Sequence, residues 1–269
     1  MNQLTELIQK VTNGMNLDAL SYDKEKSITQ QLVELDNQRP GLLKGFDCNI
    51  CLNRGFITKY NAEKDLSYIV DCECVKTRKS LKNAEQSGMG ELLSHKLRDF
   101  KAIEPFQEVM RDITKGYILN ARTEWFLALG QSGIGKSMIC SSICNQRLKE
   151  FHQVKYMIWN EFVDRLKRMS YDLERDNYFD EYAKSEILYI DDLFKGKVTE
   201  TDINYAFRLI NERYNKNLVT IVSSELLLKD LREIDEAIAG RLKEKAKKYC
   251  IQVGKDSSKN YRLKDEVIL

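Results

Sequence analysis

Residues 130–137 read GQSGIGKS, a complete G-x-x-x-x-G-K-[ST] loop. Glycines at 130, 133 and 135 let the backbone curl until successive N–H groups point inward at phosphate oxygens. Lys136 then reaches the β- and γ-phosphates of a nucleotide, and the Ser137 hydroxyl is placed to ligate Mg²⁺. A chance glycine turn beside a surface lysine would look similar. The flanks argue against it, because apolar 125–129 reads as a strand and 138–143 as the start of a helix.

A second chemical feature lies 55 residues after Lys136, where ILYI runs into Asp191-Asp192. A carboxylate at the C-terminal end of a parallel strand beside a phosphate loop can hold Mg²⁺, the role expected of Asp191. Asp192 is then placed to orient the attacking water. Its side chain is one methylene shorter than glutamate, which sets the carboxylate back by about 1.5 Å. Misplacement on that scale slows chemistry, so slow hydrolysis is expected. The next strand ends Val222-Ser223-Ser224-Glu225, and either Ser224 or Glu225 could sense the γ-phosphate. Arg241, in Ala239-Gly240-Arg241-Leu242, is a candidate to reach the nucleotide of a neighbouring subunit, the alternative being an ordinary surface arginine. Arg262 is a further candidate for folding back onto the nucleotide.

Cysteine chemistry is confined to one stretch. Cys48 and Cys51 form C-x₂-C, and Cys72 and Cys74 form C-x-C, with short β-type runs between the two pairs. Four thiolates clamping the base of a hairpin suit a structural, tetrahedral Zn²⁺ site, with free structural cysteines as the alternative. Cys140, Cys144 and Cys250 sit among apolar neighbours and are expected to be buried and inert.

These groups must be held by a scaffold, and its outline is readable. Candidate strands at 125–129, 154–159, 187–190, 218–223 and 249–253 alternate with helical patterns, as in a parallel sheet covered on both faces. The helix opening at Pro105 carries Phe106, Val109, Met110, Ile113 and Tyr117 as its inward stripe; the one at 202–215 carries Ile203, Phe207, Ile210 and Tyr214. A helix over 161–172 is expected to be capped by Asn160. Leu4, Leu7, Ile8 and Val11, then Ile28, Leu32 and Leu35, mark short amphipathic helices within residues 1–45. The expected domains are an N-terminal helical and zinc-binding domain (1–83), a linker (84–97) and a nucleotide-binding domain (98–269). With 42 % apolar and 31 % charged residues, a net charge of +2 and no apolar run long enough to span a bilayer, the chain reads as a cytoplasmic globular protein. Two basic clusters, one at Lys76, Arg78, Lys79 and Lys82, the other at Lys243, Lys245, Lys247 and Lys248, read as solvated helix surfaces before they read as nucleic-acid contacts.

Taken in order, CNIC…CEC, EPFQEVM, GQSGIGKS, ILYIDD, TIVSSE and AGRL resemble a DnaC/DnaI-type replicative helicase loader, including phage-borne examples. The resemblance spans about residues 98–263 and implies an AAA+ core. The sixteen residues after the last strand are too few for the helical lid many AAA+ proteins carry. It implies that Gly130, Gly135, Lys136 and Ser137 bind ATP–Mg²⁺, that Asp191 and Asp192 serve metal and water, and that Arg241 acts in trans. It further implies an N-terminal grip on a hexameric DnaB-type helicase, self-association through the ATPase domains, and ATP-dependent contact with single-stranded DNA. Two other functions fit part of the pattern: an IstB-type transposition helper, which shares the core, and a non-hydrolysing adaptor or inhibitor of the helicase.

Overall fold

The computed structural model describes residue 23 and residues 25–86 and 89–261. The expected helix at Leu4–Val11, Gly88 and Arg262 lie outside the described residues. The chain divides into two compact units, Met1–Cys72 and Glu73–Leu269.

In the first unit, α1 (Ile28–Asn37) starts where the Ser27 side chain accepts a hydrogen bond from the Gln30 N–H, an N-cap that satisfies a free helix donor. Strands β1 (Phe56–Asn61) and β2 (Leu66–Asp71) pair antiparallel, with Phe56 opposite Asp71 and Asn61 opposite Leu66. This is the hairpin expected between the cysteine pairs. The end of α1 is tied to β1 by the Asn37 side-chain amide, which donates to the Thr58 carbonyl and accepts from the Thr58 N–H, and by the Thr58 hydroxyl, which donates to Asp36.

The second unit opens with α2 (Cys74–Gln86) and α3 (Pro105–Asn120), followed by a five-stranded sheet. Its strands are β3 (Phe126–Gly130), β4 (Val154–Ile158), β5 (Ile187–Asp191), β6 (Val219–Ser224) and β7 (Cys250–Val253), all parallel, in the order β4-β5-β6-β3-β7. The connecting helices are α4 (Lys136–Lys149), α5 (Trp159–Arg168), α6 (Asp172–Ala183), α7 (Glu200–Asn215), α8 (Leu228–Ile234) and α9 (Glu236–Ala246). Side chains alternate across a strand, so β3 feeds two cores. Leu127 and Leu129 join Phe162, Phe179 and Leu242 on one face; Phe126 and Ala128 join Met110, Tyr117 and Ile143 on the other.

Several expectations are corrected. The division falls at 72/73, not 83/84, because α2 packs on the sheet unit: Thr77 and Ser80 donate to the backbone carbonyls of Leu148 and His152, and Ala84 is fully buried. Lys76, Lys79 and Lys82 nevertheless face solvent, as expected. The stretch 84–97 is no free spacer. Met89 is buried, and Asn145 of α4 donates to the carbonyls of Leu93 and His95. Asn160 does not cap α5, which begins directly at the end of β4, and its amide donates to the Lys195 carbonyl instead. Val109 and Phe207, assigned inward, are exposed.

The buried face of α7 holds Arg213 in place of Phe207. This guanidinium is fully buried and has no carboxylate partner among the described residues; it donates to the Thr220 hydroxyl and to the carbonyls of Tyr182, Ala183, Ser185 and Val219. It thereby ties the C-terminal end of α6 to the start of β6. Removing it strands several buried acceptors, each costly to leave unpaired. Arg213→Ala is expected to lower unfolding stability by about 3 kcal/mol in urea titration while leaving the phosphate loop, at the opposite ends of the strands, competent to bind nucleotide.

Candidate functional site

The phosphate loop leaves the C-terminal end of β3, and α4 begins at Lys136 with Gly135 as its N-cap. Gly133 (φ +80°) and Gly135 (φ +95°) occupy backbone conformations that side chains resist. A Cβ on Gly133 would also strike the Asn260 side chain, and one on Gly135 the Phe100 ring. Beside this loop lies a cavity of about 480 Å³, lined among others by Gly135, Lys136, Ser137, Asp191, Asp192 and Glu225. The two motifs far apart in sequence therefore meet.

Lys136 is buried, and its ammonium donates to the carbonyls of Gly130 (2.8 Å) and Gln131 (2.9 Å). Burial pulls its pKa below the usual lysine value, opposed by the negative charges of Asp192, Glu225 and Asp191. Its two carbonyl contacts hold the side chain across the loop.

Asp191 ends β5 and is only 8 % exposed. Three hydroxyls surround its carboxylate: Tyr189 donates to Oδ1 at 2.7 Å, Ser223 also donates to Oδ1, and Tyr156 donates to Oδ2 at 3.0 Å. Burial and the neighbouring negative charges raise the pKa values of both tyrosines, so they stay protonated donors. Ser223 also accepts from the Asp192 N–H at 3.0 Å, which links the tips of β5 and β6. Neither Ser223 nor the two tyrosines was singled out from sequence. For Ser223 a signal existed in the register: Ile190 pairs with Val222, so the next residues along, Asp191 and Ser223, lie side by side.

Asp192 adopts a left-handed backbone (φ +56°), and its carboxylate pairs with Lys195 at 2.7 Å. The two sensor candidates separate. Ser224 turns away, its hydroxyl donating to the Leu193 carbonyl and accepting from Leu226 N–H, whereas Glu225 lines the cavity. Arg241 is not at this cavity. It donates to the Ala237 carbonyl, and its guanidinium lies 5.1 Å from the Phe207 ring centroid and 5.7 Å from that of Tyr214. Tyr261 donates its N–H to the Gly133 carbonyl at 3.1 Å. The later lysines are occupied locally. Lys243 reaches the Lys247 carbonyl, Lys245 the Asn217 side chain, and Lys247 Glu124.

The Sγ atoms of Cys48, Cys51, Cys72 and Cys74 all lie within 4.8 Å of one another, and all four residues are buried. Zinc–sulfur bonds of about 2.3 Å place tetrahedral sulfurs about 3.8 Å apart. The Cys48–Cys72 separation is 3.7 Å, too long for a disulfide and close to that edge. The Gly55 N–H donates to Cys51 Sγ at 3.3 Å, which suits a thiolate. The donor set fits a closed Cys₄ metal site. Cys140 and Cys144 are fully buried, and burial raises their pKa values, as expected for inert thiols.

A five-stranded parallel sheet with this loop and acidic strand end defines an α/β fold of the P-loop AAA+ type. Residues 110–246 match the model described as the bacterial DnaA ATPase domain, and the chain belongs to that family. Among solved structures, a crystal structure of DnaI superposes with a TM-score of 0.53 at 20 % identity, covering 64 % of this chain and 93 % of that one. Among curated proteins, the uncharacterized protein YqaM of Bacillus subtilis is 26 % identical, over 82 % of this chain and 87 % of its own. The phage-like element PBSX protein XkdC of the same bacterium is 24 % identical, over 92 % and 95 %. The insertion sequence IS21 putative ATP-binding protein of Pseudomonas aeruginosa is 21 % identical, over 61 % and 65 %. None of the described helices is long and apolar enough to cross a membrane.

Two outcomes check this geometry. Ser223→Ala, which removes a donor from Asp191, is expected to raise the Mg²⁺ concentration needed for nucleotide binding several-fold in calorimetric titration, and Ser224→Ala to leave it unchanged. Elemental analysis of the purified chain is expected to find one zinc per molecule, and Cys51→Ser to lose most of it.

Proposed function

We propose that this protein is an ATP-dependent loader of a hexameric, DnaB-type replicative helicase onto single-stranded DNA. The carrying observation is a nucleotide cavity with Lys136, Asp191 and Asp192 in a DnaA-family core, preceded in the same chain by a buried four-cysteine module. In this reading Lys136 binds the β- and γ-phosphates, Ser137 and Asp191 hold Mg²⁺, and Asp192 orients the attacking water. Arg241 reaches the nucleotide of an adjacent subunit. Its distance from the chain's own cavity suits that role. Zinc in the Cys₄ set stabilises an N-terminal unit that grips the helicase. The short Asp192 carboxylate supports slow turnover and a timing function over a motor function.

The IS21 relative motivates a second reading, a transposition helper. The lengths of the matches set this relative apart from the phage-like element protein. The 61 % covered by the IS21 protein is short enough to fit within the sheet unit of residues 73–269. The 92 % covered by the phage-like element protein is more than that unit holds, so that likeness extends into the first unit.

Native mass spectrometry of the protein mixed with its host's DnaB-type hexamer, with and without ATP, tests the proposal. The expected result is a hexamer carrying bound loader chains. Absence of association in both conditions overturns it.

A further inference from the structure

One cation at the cavity plays no part in the roles assigned so far. Lys195 lies four residues beyond the end of β5, in the loop that leaves the acidic pair, and lines the same cavity as Lys136. Its ammonium is 2.7 Å from Asp192 Oδ2 and 3.7 Å from Glu225 Oε1, bridging two carboxylates that also line the cavity. Asp191, Asp192 and Glu225 act electrostatically on both Lys136 and Lys195, so two lysines and three carboxylates form one charge cluster. The two lysines are held differently. Lys136 is buried against loop carbonyls, whereas the Lys195 side chain is 48 % exposed and, among the described residues, tethered by ion pairs.

We propose that Lys195 reads the third phosphate of the bound nucleotide, leaving Asp192 and Glu225 for the γ-phosphate and freeing Asp192 in the same movement. This rests on the ATP-binding reading above and deepens it. A γ-phosphate brings more negative charge than either carboxylate, and a half-exposed lysine with a flexible four-carbon stem can follow it at small cost. A nucleoside diphosphate offers no such oxygen cluster at this end of the cavity, so Lys195 stays on the carboxylates and Asp192 stays neutralised. Asp192 becomes available to orient water only when there is a γ-phosphate to attack. A rim ion pair with a purely structural role would make no distinction between the two nucleotides.

Calorimetric titration of the full chain with AMPPNP and with ADP, both with Mg²⁺, tests this in wild type, Lys195→Met, Lys195→Arg and Lys136→Ala. Lys195→Met is expected to weaken AMPPNP binding about tenfold, the effect of losing about 1.4 kcal/mol. Its ADP affinity should stay within about twofold, and Lys195→Arg should keep most of the preference for the triphosphate. Equal loss for both nucleotides, or no loss for either, overturns the assignment of Lys195 while leaving ATP binding in place. Wild type that binds neither nucleotide, indistinguishable from Lys136→Ala, overturns the ATP-binding reading and this inference together. Thermal melting of Lys195→Met should match wild type, since the side chain is half exposed.

Discussion

A carboxylate as buried as Asp191 is costly unless every lone pair is met, and the organisation of the site follows from how this one is met. Tyr189 reaches it from its own strand, Tyr156 from β4 and Ser223 from β6. The parallel register therefore has to be maintained across three adjacent strands for one side chain to be tolerated. Once it is, the phosphate loop on β3, the next strand over, has a fixed carboxyl group beside it. The same Ser223 hydroxyl accepts the Asp192 N–H, so the backbone of Asp192 is held by the group that satisfies Asp191. The contacts to Asp191 lie in a buried, low-dielectric environment in which they count for more than in water.

The scaffold was largely legible in the sequence because its signals are local. All five strands fall within a residue or two of where their apolar runs placed them, and the glycines of the loop require the backbone they adopt. What stayed hidden is what non-local packing decides. Ser223 becomes visible only through the β5–β6 register. Lys195 looks like any loop lysine until the chain turns it back toward Asp192. Arg213 was passed over because helical periodicity favours apolar residues on a buried face, whereas the open carbonyls at the end of α6 select a cation there. The stretch 84–97 looked like a spacer on composition, yet its carbonyls are taken up by Asn145 and its Met89 by the core.

The cysteine module and the nucleotide core meet different physical needs. A hairpin of two six-residue strands and one short helix has little apolar area to bury, so four converging thiols and a metal can supply what a core cannot. The sheet unit has two full cores and needs no such support. Family membership rests on residues 110–246, within the sheet unit, while the fuller-length likeness to a phage-like element protein reaches beyond that unit.

The proposed function depends on the cavity between the loop and the acidic pair being a working, slow ATP site. Phosphate release under Mg²⁺–ATP, with helicase and single-stranded DNA present, measures it most directly when wild type is compared with Lys136→Ala. Slow release from wild type and none above background from Lys136→Ala is the predicted result. Equal release from the two proteins would contradict it.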